Sequence, residues 1–517
     1  MAKEMYVSST KGNNSYNGTL SQPFKTIQYA IDSASAGDVI YVQNGSYNER
    51  IQLNKSGTSD KPIKLVAYPD HRPIINGAGI KWTGNGNWGG LINFNRQSHW
   101  FFEGIHLENA YGMGFGDDYQ EPSTVGSRNI QIKNCSVTKA GGSGFFVEFA
   151  EDILIDNLMA KETNKNLGQE GISLLNVNRF EIKNCQVINC YKEGIDVKDG
   201  CKNGTIHDCY VNNTVRVGIY VDAFSRDSSN IQVYNNIATV PNGAGFSTAA
   251  EAGGRLENIL FRNNIVYDSL RGYNISSNNS ETNLPYMMKN ITFQHNIAFN
   301  SGFTGIFIVA KVENLLIENN ILYPSKSYLS NCIQVYDLKM FDANTTIIRN
   351  NLLAAINTNN NIIRGSDYIV EANYDSVMID PTGALTGTRN FALTKNSVAR
   401  NAGYKGVDLG LILESSSNPP EENFEPQEVK IISDVNLFNA ANAIKDFPPF
   451  QIRYTTITTE KAINDSNLPV QASGVLITYY ISQTITGCYQ EYQRIGTNER
   501  WIRFTLSESS WTNWSKR

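Results

Sequence analysis

The chain has 517 residues, with 44 Lys and Arg against 49 Asp and Glu, a length that calls for several compact domains or one elongated repetitive body. The mildly acidic balance gives no basic field to attract nucleic acid or an anionic membrane surface, so neither is expected as a partner. A hydrophobic content of 41% with 41 Gly and 15 Pro excludes a disordered or collagen-like chain and points to a folded one that turns often.

The start, Met1-Ala-Lys-Glu-Met-Tyr-Val, has no apolar stretch behind a basic residue, and nowhere do 18 consecutive apolar residues occur, so no signal peptide or membrane segment is expected. The 7 cysteines show none of the close pairs that mark a zinc site. They fit synthesis in a reducing cytoplasm better than disulfide-bonded secretion.

In chain order, Phe24-Lys-Thr-Ile-Gln-Tyr-Ala-Ile-Asp-Ser-Ala places Ile27, Ala30, Ile31 and Ala34 at helical spacing. A short helix is therefore expected to plug the open N-terminal end of whatever follows. Gly37-Asp-Val-Ile-Tyr-Val then reads as the first strand.

Through the middle of the chain a pattern apolar-x-apolar-x-Asn/Cys recurs: Asn129-Ile-Gln-Ile-Lys-Asn-Cys, Arg179-Phe-Glu-Ile-Lys-Asn-Cys, Asn203-Gly-Thr-Ile-His-Asp-Cys, Asn230-Ile-Gln-Val-Tyr-Asn-Asn, and likewise from Asn258, Asn290, Asn314 and Thr345. From Arg179 on, copies start about 24 to 32 residues apart, a solenoid spacing, and the first gap, from Asn129, is about twice that. Each alternates apolar and polar residues at period two, which makes strands and not helices. Between copies a second strand opens with glycine, as in Gly144-Phe-Phe-Val, Gly171-Ile-Ser-Leu, Gly194-Ile-Asp-Val, Gly218-Ile-Tyr-Val and Gly245-Phe-Ser-Thr. Two or three strands per coil without helices predict an all-β fold, a right-handed parallel β-helix with an N-terminal helical cap. The Asn-Asn and Asn-Cys pairs fall at the turn, where inward side chains can stack as a ladder that Cys135, Cys185 and Cys209 continue as inert core residues. His207 and His295 read as ordinary outward residues.

The coils fade near residue 400, so the β-helix is placed at residues 1–415. Ser415-Ser-Ser-Ser-Asn-Pro-Pro-Glu-Glu-Asn is a linker by composition, set at 416–426. Gly474-Val-Leu-Ile-Thr-Tyr-Tyr-Ile, Tyr489-Gln-Glu-Tyr-Gln and Trp501-Ile-Arg-Phe-Thr predict a small separate β-rich domain over 427–517.

Equivalent positions of successive coils stack about 4.8 Å apart, so aligning the glycine-led strands exposes surface columns. Just before the glycine stand Ser143, Glu170, Glu193, Val217 and Ala244; two residues after it, Phe146, Ser173, Asp196, Tyr220 and Ser247; four after it, Glu148, Leu175, Lys198, Asp222 and Ala249. Glu170, Glu193 and Asp196 are thus expected to meet. Three carboxylates that close repel unless a cation or protons intervene. An all-oxygen set suits Ca²⁺, while Lys192 and Lys198 are the alternative neutralisers. Lys198, Tyr220, Asp222 and Glu251 are the candidate catalytic residues, with Glu148, Arg226, Trp501 and Trp511 as candidate glycan contacts. Polar groups concentrate in the coils from about residue 168 to 255, a site signal.

Tyr6-Val-Ser-Ser-Thr-Lys-Gly, Pro23-Phe-Lys-Thr-Ile, Ala36-Gly-Asp-Val-Ile-Tyr-Val and Gly45-Ser-Tyr resemble the opening of the pectate-lyase-like β-helix proteins, in particular polysaccharide lyase family 9. In that family acidic residues around an Asp-Asp-Gly-Leu-Asp-like segment hold Ca²⁺ and a lysine is the base. Lys192-Glu-Gly-Ile-Asp196 matches the segment in part, with Lys192 at its first acid, and Tyr220 stands at the lysine position. The C-terminal segment, through Asn467-Leu-Pro, Arg500-Trp-Ile-Arg and Trp511-Thr-Asn-Trp, is similar to the knob-like domains of phage tail fibres and pyocins. Together the resemblances imply a homotrimeric phage tail spike, carried on the virion tail beside other tail proteins, that docks on a bacterial surface polysaccharide. Three activities stay open. One is a lyase acting by metal-assisted β-elimination, one is a glycoside hydrolase with paired carboxylates, Asp222 with Glu251 or Asp196 with Asp222, and one is a non-catalytic adhesin.

Overall fold

Alternating side chains need one dry face, and successive coils supply it to one another. In the computed structural model, residues 2–412 are described except 83–88, 118–124, 165–167, 278–286, 326–331, 337–340, 356–367 and 386; beyond 412 only the backbone of 451–457, 474–480, 489–494, 500–507, 510–511 and 515–516 is described. The coil that starts at Asn178 shows the plan, with strands Asn178–Lys183, Gln186–Ile188 and Ile195–Lys198. Each pairs in parallel with its counterpart one coil on: Phe180 opposite Gly204, Val187 opposite Val211, Ile195 opposite Ile219. Repetition builds a right-handed parallel β-helix. The third strand of each coil, repeated 11 times, makes a sheet of its own, and this sheet carries the site. Ile182, Val187, Ile195 and Val197 point inward and are fully buried.

The first strand is Glu4–Val7, ahead of the expected start, and it pairs with Val39–Val42. The cap helix is Ile27–Ser33, with Ile27, Ala30 and Ile31 buried and the Thr26 side chain accepting from Tyr29 N. The Glu49 carboxylate accepts from Ile27 N at 2.8 Å and Gln28 N at 3.0 Å, covering two donors that a helix start leaves open.

The Asn-Asn pair divides its labour. The first residue takes left-handed backbone, φ 55° at Asn235 and Asn263 and 59° at Asn319, a conformation asparagine tolerates and most residues do not. The second points inward: Nδ2 of Asn236, Asn264, Asn296 and Asn320 each donates to Oδ1 of the next, at 3.0, 3.1, 3.0 and 2.9 Å, ending at Asn351. Each amide also meets backbone; Asn264 Nδ2 donates to Val233 O at 2.8 Å and its Oδ1 accepts from Asn236 N at 3.1 Å. Cys209 N donates to Asn236 Oδ1 at 3.0 Å, which joins the cysteine part of the column to the asparagine part. Burial pushes the Cys135 thiol up to about 12, so it stays an unreactive thiol. A second, surface ladder runs through Asn203, Asn230, Asn258, Asn290 and Asn314, with amide contacts of 2.8 to 3.0 Å. One coil escapes the sequence pattern: Glu151–Lys161 is a full strand whose ladder position is Leu158, opposite Cys135.

The leading glycines are required by close approach. A Cβ on Gly194 would lie 2.5 Å from Gly218 O, and one on Gly218 2.4 Å from Gly245 O. His295 corrects the expectation of an outward residue. It holds the left-handed turn (φ 56°), is buried, and binds Gly410 O at 3.1 Å and Asn319 Nδ2 at 3.0 Å. His207 does lie outward but is engaged by Asp208 at 2.6 Å and Glu181 at 3.1 Å, stacked 4.6 Å from Tyr234.

A second unit comprises Met378–Thr394 and residues from Ser415. Its described strands form a two-stranded antiparallel pair, Met378–Asp380 with Asn390–Leu393, and an antiparallel sheet of Gln451–Ile457, Gly474–Tyr480, Tyr489–Arg494 and Arg500–Ser507. The 416–426 linker lies outside the described residues.

Asn264→Ala leaves Asn236 N–H, Val233 O and Asn296 Oδ1 short of a partner, and should cost about 3 kcal/mol by urea unfolding. Asn264→Cys, the residue that fills the column at Cys209, should cost less than half of that. Equal losses would show that the ladder does not fix the turn.

Candidate functional site

On the third strand of each coil, Ile172, Leu174, Ile195, Val197, Ile219 and Val221 turn inward and are fully buried. The residues between them must therefore face out. The register places Phe146, Ser173, Asp196, Tyr220, Ser247 and Asn274 in one unbroken column, and Glu148, Leu175 and Lys198 in the next. No bulge interrupts the pairing of these strands between Phe145 and Ser277, so the column through Asp196 and Tyr220 holds.

Glu170 is the hub. It is fully buried, yet its Oε1 lies 2.5 Å from Lys192 Nζ and its Oε2 2.8 Å from Lys198 Nζ and 2.9 Å from Ser173 Oγ. Burial alone would raise its pKa; Lys198 and Lys192 overcome that and hold it down at about 2. Lys198 also lies 3.4 Å from Asp196 Oδ2. Glu193 sits 3.1 Å from Arg216 Nε and 3.6 Å from Lys192 Nζ. Tyr220 donates its hydroxyl to Glu251 Oε1.

The remaining carboxyls behave differently. Burial, followed by repulsion from Asp222, Glu170 and Glu193 that Lys198 only partly offsets, raises Asp196 well above its ordinary value. Asp222 is raised to about 8, by burial first and then by Glu251 and Glu170, against the pull of Lys198. One oxygen of each, Asp196 Oδ1 and Asp222 Oδ1, is buried without a hydrogen-bond partner. Both Lys198 and Tyr220 are shifted upward: burial works against the Lys198 charge, but Asp196 and Glu170 prevail, whereas for Tyr220 burial itself keeps the phenol protonated.

The ion-pair contacts bear on two expected roles. Lys198 is a pinned ammonium and not a base, because its carboxylate neighbours hold its proton. The expected Ca²⁺ set of Glu170, Glu193 and Asp196 does not fit a calcium ion either. Both Glu170 oxygens face ammonium groups, and Lys192 stands against Glu193 as well, so a cation would have to displace Lys192 and Lys198. Among the described residues no group of three His, Cys, Asp or Glu is arranged to hold a metal.

Other expected contacts fall outside the cluster. Arg226 is taken by Asp199 at 2.5 Å and lies 5.2 Å over the Phe149 ring. Glu148 is buried, one coil before Leu175 in its column. The side chains of Trp501 and Trp511 lie outside the described residues. Arg216, which the column alignment passed over, enters from the turn ahead of Val217. Its signal was a cation one residue before a column that carries two glutamates. Beside the cluster, a cavity of about 410 Å³ runs along earlier coils, lined by Lys81, Tyr111, Lys139, Glu162 and Tyr191. It ends at the residue next to Lys192.

Comparison with known proteins supports the β-helix fold. A family described as "Pel9A-like, right handed beta helix region" matches residues 5–166, and one described as "Right handed beta helix region" matches residues 90–286. Residues 5–166 are thus similar to a Pel9A-like β-helix region, and residues 90–286 to right-handed β-helices in general. Pectate lyase PEL9 of Emericella nidulans is 33% identical over 124 residues, 22% of this chain and 30% of that protein. The uncharacterised YwoF of Bacillus subtilis is 33% identical over 76 residues, 15% of this chain and 16% of that one. This chain spans less than a third of either relative. The solved pectate lyase Pel9A is 16% identical, covering 79% of this chain and 96% of its own, with a TM-score of 0.44. The Pel9A-like match stops at 166, just before the cluster begins at Glu170.

Lys198→Met should destabilise the fold by about 3–5 kcal/mol at neutral pH, because it strips a buried carboxylate of its partner. Urea unfolding checks this; a loss under 1 kcal/mol would mean that Glu170 takes up a proton instead. Calorimetric titration of wild type with millimolar Ca²⁺ should show no heat of binding at this cluster. An Asp196-dependent heat would overturn the assignment of the ammonium groups as its counterions.

Proposed function

We propose that this chain is a polysaccharide-cleaving enzyme that works by acid–base chemistry on a glycan lying along the third-strand flank. One observation carries the reading: buried carboxyls on adjacent rungs are pushed toward the protonated form beside a glutamate held ionised. Environments that drive neighbouring carboxyls apart are how one site keeps both an acid and a base near neutral pH. Hydrolysis uses them directly. Asp222, protonated below about 8, gives its proton to the bridging glycosidic oxygen as the C–O bond breaks. Glu251, partly exposed and oriented by the Tyr220 hydroxyl, takes a proton from the attacking water, whose oxygen bonds to the sugar carbon. Asp196 and Lys198 position the acid and set its charge environment.

β-Elimination is the second reading. Likeness to a pectate lyase over the N-terminal coils favours it, as do Lys192, Lys198 and Arg216, which could face an acidic sugar. It needs a base to remove a proton from carbon, and Lys198 is not in the form for that. Ultraviolet absorbance from an unsaturated uronate product separates the two readings. The glycan is proposed to be a bacterial surface polysaccharide and the setting a homotrimeric phage tail spike, on the resemblance of the C-terminal segment. Light scattering should then give three times the chain mass of 57.5 kDa; a monomer would remove that part of the proposal.

Asp222→Asn should lower the cleavage rate by about 10²–10⁴, and Glu251→Gln by a similar factor. In wild type the rate should fall as pH rises through about 8, where Asp222 loses its proton. The same group has a stability signature. Because its pKa is raised in the folded state, from 3.8 to about 8, its contribution is fully present below 3.8 and lost as pH climbs through 8. Asp222→Asn should therefore melt higher than wild type at pH 9 and the gap should close toward pH 4. Wild-type cleavage by both variants would place the chemistry elsewhere on the solenoid.

A further inference from the structure

Followed past the cluster, the outward columns change character. The column of Asp196 and Tyr220 continues through Ser247 and Asn274 to Phe307 and then Gln334. The column that holds Val217 continues through Ala244 to Arg271. Arg271 thus stands two rungs, about 10 Å, beyond the rung of Tyr220 and Asp222 on the same face.

Arg271 is a half-buried cation. Among the described residues no carboxylate lies within ion-pair distance of it, and its Nε is buried without a hydrogen-bond partner. Its guanidinium lies 5.0 Å from the Phe307 ring and 5.5 Å from the Phe303 ring, and burial lowers its pKa with no partner to offset it. Two phenylalanine faces steady the guanidinium plane but do not satisfy its donors. Tyr336, 72% exposed, sits edge-on to Phe307 at 6.2 Å, extending the aromatic surface outward. Every other cation of this flank singled out above, Lys192, Lys198, Arg216 and Arg226, faces a carboxylate.

We propose that Arg271, with Phe303, Phe307 and Tyr336, forms an anionic-sugar subsite, in which Arg271 donates to a carboxylate or phosphate of the glycan while a ring stacks on the aromatic surface. The inference rests on the glycan-cleaving reading and names its substrate class: a polymer with an acidic group about two rungs from the bond that is cut. An aromatic face beside a fork of N–H donors suits such a unit, since stacking takes the sugar ring and the guanidinium takes the acid in planar geometry. A neutral glycan would leave the positive charge of this half-exposed guanidinium without a counterion.

The test measures binding apart from cleavage. In full-length protein carrying Asp222→Asn, three probes are titrated by calorimetry: oligogalacturonate, its fully methyl-esterified form, and a poly(glycerol phosphate). One acidic probe should bind at least about tenfold tighter than the esterified one, carboxylate and phosphodiester being told apart by which it is. Arg271→Gln added to this background should remove that preference, and Tyr336→Ala, at an exposed position, should weaken both forms of the sugar probe alike. Removal of an unpaired cation should leave the melting temperature unchanged or higher. Equal binding of all three probes, no binding of any, or an Arg271→Gln variant that keeps the acidic preference would overturn the subsite. A lower melting temperature for Arg271→Gln with binding unchanged would make Arg271 a packing residue. Failure of cleavage in Asp222→Asn bears only on the catalytic reading, since every binding measurement is made without turnover.

Discussion

The coil-to-coil register is the constraint on which everything else depends. A parallel solenoid can slip by a residue only if its turns allow it, and here two features forbid the slip. The inward asparagine chain from Asn236 to Asn351 spends each amide on the next amide and on backbone, and the glycine column lets neighbouring backbones approach where any Cβ would collide. A one-residue shift would turn the buried aliphatic set outward and break every amide contact at once. With the register fixed, separation along the chain becomes distance in space, and residues some 24 to 27 positions apart, such as Asp196 and Tyr220 or Tyr220 and Ser247, become neighbours.

That rigidity lets the flank hold a charge arrangement that a looser scaffold would relax. Glu170, Glu193, Asp196 and Asp222 face Lys192, Lys198 and Arg216. Burial and mutual repulsion raise Asp196 and Asp222 toward the protonated form, which lowers the negative charge this flank has to hold. Their upward shifts and the low value of Glu170 are two sides of the same balance. Stability would be better served by aliphatic side chains at these positions, and their retention on a fold with ample aliphatic alternatives is the physical ground for reading them as functional.

The fold was legible because its signals repeat. Period-two alternation, the Asn-Asn turn and the leading glycine recur often enough to reveal strands, register and outward columns without coordinates. What escaped was local. Glu151–Lys161 carries Leu158 where the pattern has Asn or Cys, so a search for polar ladder residues passes over it. His295 occupies the left-handed turn position that asparagine fills elsewhere and was taken for a surface residue. At the site, alignment named Glu170, Glu193, Asp196, Lys198, Tyr220, Asp222 and Glu251, since columns follow from register alone. It could not say which carboxyls are ionised, because that depends on where flexible side chains end. The spacing left two neutralisers open, a cation or the lysines, and only the position of Lys192 Nζ against Glu170 favours the second.

The departures from pairing are as informative as the pairs. Along this flank nearly every cation has found its carboxylate, as with Lys198 at Glu170 and Arg216 at Glu193, and even the peripheral Arg226 is bound by Asp199 through both guanidinium and backbone. In such a surface an unmatched polar atom has been left open by the fold, because the same columns elsewhere show how readily a coil supplies a partner. Asp196 Oδ1, Asp222 Oδ1 and Arg271 Nε are three such atoms within four rungs. Two accept and one donates, all beside the dry aliphatic wall of the solenoid, where an unmet hydrogen bond costs about 1–3 kcal/mol. The cluster and the arginine also share one flank, two rungs apart, which is the spacing a single extended ligand with an acidic group beyond the bond that is cut would use.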